Sequence, residues 1–512
     1  MTPSVLAAPI RFLADDALEG RGPGTRGDVL ARRYLASTFE LLGLEPAFPG
    51  GTYEQAVELL GVVTHAPPRW TFRAGKRRVS LADGADFVAS SGRATARAGI
   101  HDAEIVFAGY GIQAPEYGWD DFKGADVRGK VLLLLNDDPD WDPELFAGPR
   151  RLYYGRWTYK FESAARQGAV GAIVLHTPKS AGYPWQTVRT SWTGENSRLA
   201  EAPQGRGLAV EAWITDASAR RVAALAGRDL DRLVASARTR DFVPVPLGIT
   251  TSLALENDVR RYATANVGAV LRGRDAQLAD EVLVYSAHHD HFGVKTSPDG
   301  KREIFNGALD NAAGVAQLLA IARAFTALPE RPLRSVLFLA VAAEEQGLLG
   351  SEYFVKHSPV PVSQLVANVN LDGGNVFGRT TDVGVVGLGK SSLDEHLVAA
   401  ANVQGRSVAD DPFPDRGMFY RSDQFNFARG GVPALFPRPG VLYVGRPPEW
   451  GRERVDAWIE RNYHQPSDDW DPSWDLSGMV DDARLLFRMG VSVADAEAAP
   501  AWRPGDEFAT AR

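Results

Sequence analysis

The sequence predicts an α/β fold: a mixed, mostly parallel sheet with helices on both faces, plus an inserted, mainly β domain. After about residue 256, continuous apolar strands alternate with helices, which is typical of parallel strands buried on both faces. Between residues 69 and 255, short β-branched and aromatic runs are separated by Gly, Pro and Asp. At 512 residues and 45% hydrophobic, the chain is long enough for more than one core. We therefore divide it into residues 1–68, 69–255 and 256–512.

The N-terminal segment contains a predicted amphipathic helix in "TRGDVLARRYLASTFELLGLEP". It opens with a capping-box-like pair, Thr25 and Asp28, and keeps apolar residues at helical spacing until Gly43 ends it. The preceding "GPGTRG" has the form G-x-G-x-x-G. However, no strand precedes it and proline fills its second position, so we interpret it as a turn.

The central segment is predicted to be strands with one helix, around "RWTYKFESAARQGA". In the last segment, the strands are "EVLVYSA", "SVLFLAVAA" and "LVANVNL", and the helices lie in "NAAGVAQLLAIARAFTAL" and near "GLLGSEYFVKH". This alternation indicates a sheet covered by helices.

Composition excludes several classes of function. The 56 Lys and Arg against 64 Asp and Glu give a net charge of −8 without a basic stripe, so nucleic acid is not an expected partner. No apolar run approaches the roughly 18 residues of a membrane helix, so no membrane partner is expected either. The chain has no cysteine, so any metal must bind to His, Asp or Glu.

Polar side chains gather where the predicted strands of the last segment end. His288, the pair Glu344 and Glu345, and Asp372 each follow a strand, and Asp310 precedes a helix. Ligands of open α/β sheets bind outside the carboxyl ends of the strands. We therefore expect these side chains to converge on one crevice, although any one of them alone would be interpreted as a helix cap or a solvated charge.

The stretch "AHHDH" places three histidines and an aspartate together. In an extended segment, His288 and Asp290 share a face and His289 points away. Imidazole ligands usually donate their other N–H to a carboxylate, so His288 is the predicted ligand and Asp290 its orienting partner. His291 is interpreted as a loop residue or pocket wall rather than a ligand.

Two further features complete the candidate site. In "NYHQPSDDWD" a turn can fix His464 rigidly. Adjacent glutamates repel each other unless a cation or a proton balances them. If Glu345 binds a metal, Glu344 can act as general base on a metal-held water; the alternative is an exposed acidic pair at a helix start.

Five motifs, in this order, resemble the co-catalytic dizinc exopeptidases of metallopeptidase family twenty-eight: "SAHHDHFG", "NGALDNAAG", "AAEEQGLLGS", "NVNLD" and "YHQPSDDWD". The stretch "EIVFAGYGIQAPEYGWDDFKGADVRGKVLLLL" resembles the start of the protease-associated domain that many members carry as an insertion. The resemblance implies a zinc exopeptidase-like fold, with residues 1–68 and 256–512 forming the peptidase domain and residues 69–255 the protease-associated domain.

The resemblance also implies residue roles and two Zn²⁺ per chain. Asp310 would bridge the zincs, Glu344 would be the general acid/base, and Asp290 would orient a ligand. Tyr463 would donate to the oxyanion, although an aromatic there is equally consistent with packing. The implied metal ligands are His288, Asp310, Glu345, Asp372 and His464.

The implied activity is that of an aminopeptidase, which hydrolyses N-terminal residues from peptide substrates through a metal-bridging water and a Glu general base. Carboxypeptidases and glutaminyl cyclases with the same fold are alternatives, and Arg416 and Arg421 are candidate cations for a substrate carboxylate. A receptor-like binding module without catalysis is disfavoured because every ligand position is filled. The chain has no G-x-S-x-G or H-E-x-x-H motif for a serine hydrolase or a thermolysin-like enzyme.

Location, oligomeric state and side-chain specificity are weakly determined by the sequence. No signal peptide is visible at "MTPSVLAAPIRFLADD", and a cysteine-free chain fits export as well as the cytosol. From the resemblance to secreted aminopeptidases, we expect a secreted or periplasmic protein whose signal peptide is absent from this sequence.

Overall fold

The computed structural model describes residues 1–202, 207–297 and 300–509. The chain forms two compact units. The first unit comprises residues 1–59, 262–412 and 421–512, and the second comprises residues 60–261 and 413–420. The sequence placed the divisions at 68/69 and 255/256 and did not predict that residues 413–420 join the second unit.

The first unit contains most of the helices. They are Pro3–Leu13, Arg26–Leu41, Ala313–Thr326, Leu349–Lys356, Leu393–Val403, Gln424–Arg429, Trp450–Arg461 and Ser477–Ala494. The helix predicted around Thr25 begins where expected, because the Thr25 side chain accepts a hydrogen bond from the Asp28 N–H. Across the described ranges, no helix has the length and apolar character needed to cross a membrane.

The sheet of the first unit is parallel at its centre. The strand Val282–His288 pairs in parallel with Ser335–Val341 and Leu365–Asn370, and the latter pairs in parallel with Ala434–Pro439. Its other strands are Glu45–Pro46, Asp382–Val386 and Ser407–Asp410. Two long strands, Glu54–His65 and Val245–Leu271, have one end in the first unit and the rest in the second. Asp382–Val386 pairs in parallel with Ser407–Asp410 but antiparallel with Ala434–Pro439, and Val245–Leu271 pairs antiparallel with Ser335–Val341. The predicted mixed, mostly parallel sheet is therefore confirmed.

One face of this sheet supports a single large core. Leu283, Tyr285 and Ala287 alternate along their strand and pack in the same cluster as the helix Ala313–Thr326. That helix is rich in alanine, and eleven of its residues are buried. Small side chains allow the helix to approach the strands closely, which fixes the position of the turn at its N-terminus.

The second unit has more helices than the sequence predicted. Its strands are Arg69–Ala74, Arg77–Ala82, Phe87–Ser90, Arg97–Phe107, Gln113–Ala114, Trp119–Asp120, Val131–Leu135, Gly171–His176, Glu195–Leu199 and Val210–Thr215. The predicted helix is Trp157–Arg166, and the helices missed are Pro178–Ala181, Trp185–Trp192, Asp216–Leu225 and Leu230–Ala237. The helix Asp216–Leu225 is capped by Thr215, whose side chain accepts a hydrogen bond from the Ser218 N–H. That cap directly follows a buried strand, which hid it within the β pattern.

Candidate metal centre

The structure brings the predicted ligands of the first unit together. His288 ends the strand Val282–His288, and Glu344 and Glu345 follow the parallel strand Ser335–Val341. Asp372 follows the next parallel strand. Asp310 lies in the irregular turn before the helix Ala313–Thr326, where the peptide bond to Asn311 is cis. These positions share one edge of the sheet because the strands run in the same direction.

The first of two side-chain clusters centres on His288. Its Nε2 atom lies 3.3 Å from Asp310 Oδ1 and 3.6 Å from Asp372 Oδ1. The imidazole is buried, and within the described part of the chain this nitrogen has no hydrogen-bond partner. We call His288, Asp372 and Asp310 Oδ1 the first cluster.

The second cluster centres on His464. Its Nε2 atom lies 3.4 Å from Asp310 Oδ2 and 3.2 Å from Glu345 Oε2. We call His464, Glu345 and Asp310 Oδ2 the second cluster. Asp310 therefore directs one carboxylate oxygen into each cluster, so one side chain links two groups of metal-ligand type.

The donor atoms of both clusters fit a cation. Imidazole nitrogen and carboxylate oxygen are ligands that zinc accepts. Burial raises the pKa of Glu344 well above its usual range; His288 opposes this shift and Asp372 adds to it. Burial also raises the pKa of Glu345, and Asp310 raises it further. Buried carboxylates this close together remain ionised only when cations balance their charge.

Asp290 holds the glutamate pair rather than the imidazole. His288 Nδ1 lies 3.2 Å from the backbone oxygen of Asp290 and 3.9 Å from its carboxylate Oδ1. The carboxylate instead accepts hydrogen bonds from the N–H groups of Glu344, at 3.1 Å, and Glu345, at 3.4 Å. The backbone carbonyl thus takes the place of the expected carboxylate partner, and the side chain fixes the turn that presents both glutamates.

The carboxylate of Asp468 holds the backbone turn at Asp310 in the same way. Its carboxylate accepts hydrogen bonds from the N–H groups of Leu309, at 2.9 Å, and Asp310, at 3.0 Å. The sequence indicated Asp468 only as part of the turn that fixes His464. The structure shows that this turn connects His464 directly to the loop that carries the linking aspartate.

Arg21 was not identified from the sequence. Its fully buried guanidinium donates to the backbone oxygens of His289 (2.8 Å), Asn306 (2.6 Å) and Gly307 (3.0 Å). His289 points away from the clusters, as predicted, with Nε2 at 3.2 Å from Asp28 Oδ1. No sequence pattern signals Arg21, because these three acceptors are backbone groups distant in the sequence, and its fourth acceptor, Leu13, is also a backbone oxygen.

Tyr463 precedes the second-cluster histidine. Arg421 Nη2 lies 3.2 Å from the phenol oxygen and donates a hydrogen bond to it. Burial raises the pKa of Tyr463 more than the positive charge of Arg421 lowers it. The phenol therefore keeps its proton at neutral pH.

His291 also lies at the second cluster. Its Nδ1 atom is 2.6 Å from Glu345 Oε1, although the sequence placed this residue in a loop or pocket wall. His291 comes three residues after the strand ends, where side chains no longer alternate between two faces. The alternation rule used for "AHHDH" therefore did not extend to it.

Comparisons with known proteins show a likeness to one peptidase family over part of the chain. The sequence profile described as Peptidase family M28 matches residues 266–487. A vacuolar membrane protease of Yarrowia lipolytica is 32% identical over 190 residues, which cover 35% of this chain and 17% of that protein. Aminopeptidase NAALADL1 of Mus musculus is 29% identical over 141 residues, 27% of this chain and 17% of that protein. The chain thus spans less than a fifth of these curated relatives.

The fold is also that of a solved structure. The aminopeptidase from Aneurinibacillus sp. strain AM-1 superposes with a TM-score of 0.54 at 19% identity, covering 98% of this chain and 94% of that chain. At this identity the likeness establishes the fold only.

Proposed function

Because residues 266–487 form a peptidase family M28 domain, we propose that this protein is a dizinc aminopeptidase that removes N-terminal residues from peptides. The observation that carries the proposal is Asp310, whose two carboxylate oxygens face two separate histidine–carboxylate clusters. Glu344 lies beside them and is not needed as a ligand of either cluster. A carboxylate left over next to a metal site has the position of a general base.

The first cluster, His288, Asp372 and Asp310, would hold one zinc ion. His464 and Glu345, together with Asp310, would hold the other. Bound zinc supplies a Lewis acid that polarises a carbonyl and makes water more acidic. The carboxylate of Asp310, which faces both histidines, would keep the two positive charges close together.

Glu344 moves the proton in this proposal. It takes a proton from the attacking water and returns it to the leaving amine, which is the usual task of a buried acid/base carboxylate. Asp290 positions Glu344 by accepting its backbone N–H.

Tyr463 stabilises the developing negative charge on the carbonyl oxygen. Its phenol accepts a hydrogen bond from Arg421, and burial raises its pKa, so the phenol keeps a proton at neutral pH. A donor held in place before the reaction costs no reorganisation when the charge appears. Arg421 donates a hydrogen bond to Tyr463. We therefore assign Arg421 to positioning Tyr463 rather than to binding a substrate carboxylate.

The proposal extends to the rest of the chain. Residues 69–255 are assigned as an inserted protease-associated domain, between the peptidase segments 1–68 and 256–512. Its short strands and the resemblance of residues 104–135 support this assignment. Secretion or a periplasmic location belongs to the same proposal, and peptides are the expected partners.

The test compares aminoacyl-nitroanilides with their N-acetylated forms. An aminopeptidase hydrolyses only the free-amine substrate, loses activity on chelation and regains it with zinc. Equal hydrolysis of both forms would contradict the assignment. Release of a C-terminal residue would indicate a carboxypeptidase instead. Cyclisation of an N-terminal glutamine peptide without nitroanilide turnover would indicate a glutaminyl cyclase.

A further inference from the structure

His291 is a buried histidine whose surroundings leave its ring nitrogens unused. The side chain is fully buried, and neither nitrogen makes a hydrogen bond to any residue in the described ranges. Nδ1 nevertheless lies 2.6 Å from Glu345 Oε1. The two atoms are within ion-pair distance but outside hydrogen-bond geometry, so neither makes a hydrogen bond that a bound cation would have to break.

The neighbouring His289 shows what a structural histidine looks like in the same loop. It is equally buried, and its Nε2 meets Asp28 Oδ1 at 3.2 Å. Asp28 in turn accepts from the Gly24 N–H and from the Thr264 hydroxyl, both at 3.0 Å. The fold thus supplies one nitrogen of His289 with a carboxylate that is itself hydrogen-bonded, and only Nδ1 of His289 lacks a hydrogen bond within the described residues, whereas both nitrogens of His291 lack one.

The backbone around His291 is shaped to accept its ring. At Gly307 the chain has a φ of +57°, and a Cβ there would lie 2.5 Å from His291 Cγ. Only glycine leaves space for the imidazole at this position and tolerates this backbone conformation. Arg21 holds the same loop through the carbonyl of Gly307. The ring is therefore fixed in place rather than free to turn toward another partner.

We propose that His291 is an additional nitrogen donor for the zinc of the second cluster. His291, Asp310 and Glu345 each offer one ligand atom, and these atoms lie within 4.8 Å of one another. The second zinc would then have four protein donors, against three for the first, and be held more tightly. The inference rests on the proposed zinc centre and adds to it a residue outside the ligand set implied by the family resemblance.

A cysteine substitution tests the proposal spectroscopically. The chain contains no cysteine, so His291→Cys introduces its single thiol. With Co²⁺ in place of zinc, a coordinated thiolate gives a charge-transfer band in the near ultraviolet. We expect this band for His291→Cys, saturating at one cobalt per chain, and expect none for His289→Cys as the matched control. A cobalt-loaded His291→Cys protein without the band would overturn the proposal.

Zinc affinity provides a second readout. Loss of an orienting partner costs about 10–100-fold in metal affinity. We expect His291→Ala to weaken one zinc by more than about 100-fold in competition with a chelator, while the other zinc keeps its affinity. A loss within the 10–100-fold range, or an equal loss in His289→Ala, would instead make His291 a residue that only positions Glu345 and would overturn the proposal.

The unmodified protein decides the matter if these variants do not fold. Proton NMR of the cobalt-loaded chain should show three exchangeable, paramagnetically shifted imidazole N–H signals, from His288, His464 and His291. Two signals would overturn the inference and leave the dizinc centre intact. A chain that binds no metal would overturn both, so the two failures are distinguishable.

Discussion

Each unit of the protein buries a group of charged side chains, and the two groups are built differently. In the second unit, Lys160 is fully buried and its ammonium donates to the backbone oxygens of Tyr110 and Asp137, both at 2.7 Å. In the first unit, His288 Nε2 and Glu345 Oε1 are also buried but have no hydrogen-bond partner among the described residues. Burial alone therefore does not distinguish a structural charge from a ligand.

The carboxylates beside Lys160 are satisfied as well. Asp121 accepts from the Ile112 N–H, at 2.9 Å, and from the Trp119 indole, at 3.0 Å. Burial lowers the pKa of Lys160 to about 7, although Asp138 and Asp121 oppose the shift. This group is balanced within the fold. The clusters around Asp310 are not balanced in this way, and the proposed zinc ions would supply the missing positive charge.

The largest expected effect comes from Glu344→Gln. An amide cannot accept the proton, so kcat should fall by about 10²–10⁴-fold. Zinc content and the thermal midpoint should stay at wild-type values, because the proposed zinc centre does not use Glu344 as a ligand. Steady-state kinetics and metal analysis on the same preparation check both statements. A loss of activity below tenfold would remove Glu344 from the role of general base.

The matching change in the second unit is Lys160→Met. Removing one partner from a buried charged group leaves the others unbalanced, so the free energy of unfolding should fall by about 3–5 kcal/mol. The control is Lys130→Met, which removes a partly exposed ion pair with Glu104 (3.0 Å) and should cost less than about 1 kcal/mol. Denaturant titrations measure both. Equal effects of the two variants would erase the contrast between the groups.

Zinc binding should raise the free energy of unfolding of the first unit, because zinc binds the folded state and not the unfolded chain. Adding free zinc at about 100 times its Kd to the metal-free chain should stabilise folding by about 2.7 kcal/mol per site. Calorimetry at several zinc concentrations measures the shift, and magnesium, which prefers all-oxygen sites with several waters, serves as the control ion. A thermal midpoint independent of zinc would mean that the carboxylates of the clusters are balanced by protons alone.

The smallest effect concerns Asp468, which holds the turn of Asp310. Asp468→Asn keeps one acceptor for the two backbone N–H groups and should weaken zinc by about 10–100-fold without abolishing folding. Competition with a chelator measures the change. Asp469→Asn alters the exposed neighbour and should leave affinity unchanged, so equal losses in both variants would point to the overall charge of the loop.

The sequence located the cluster side chains that lie at strand ends, because strand direction and the ends of buried runs are local properties. His288, Glu345 and Asp372 were found in this way. The hydrogen bonds of Arg21 to His289 and of Asp310 to Asp468 could not be predicted in this way, because they join segments more than 150 residues apart in the sequence. The contact of His291 with Glu345 was not predicted either, because it joins two loops that are separate in the sequence.

The measurement that most directly tests the centre is anomalous diffraction at the zinc edge from crystals of the full chain. Two peaks are predicted, one beside His288 Nε2 and Asp372 and one beside His464 Nε2 and Glu345, with Asp310 between them. A single peak, or none in crystals grown with excess zinc, would contradict a two-metal centre linked by Asp310.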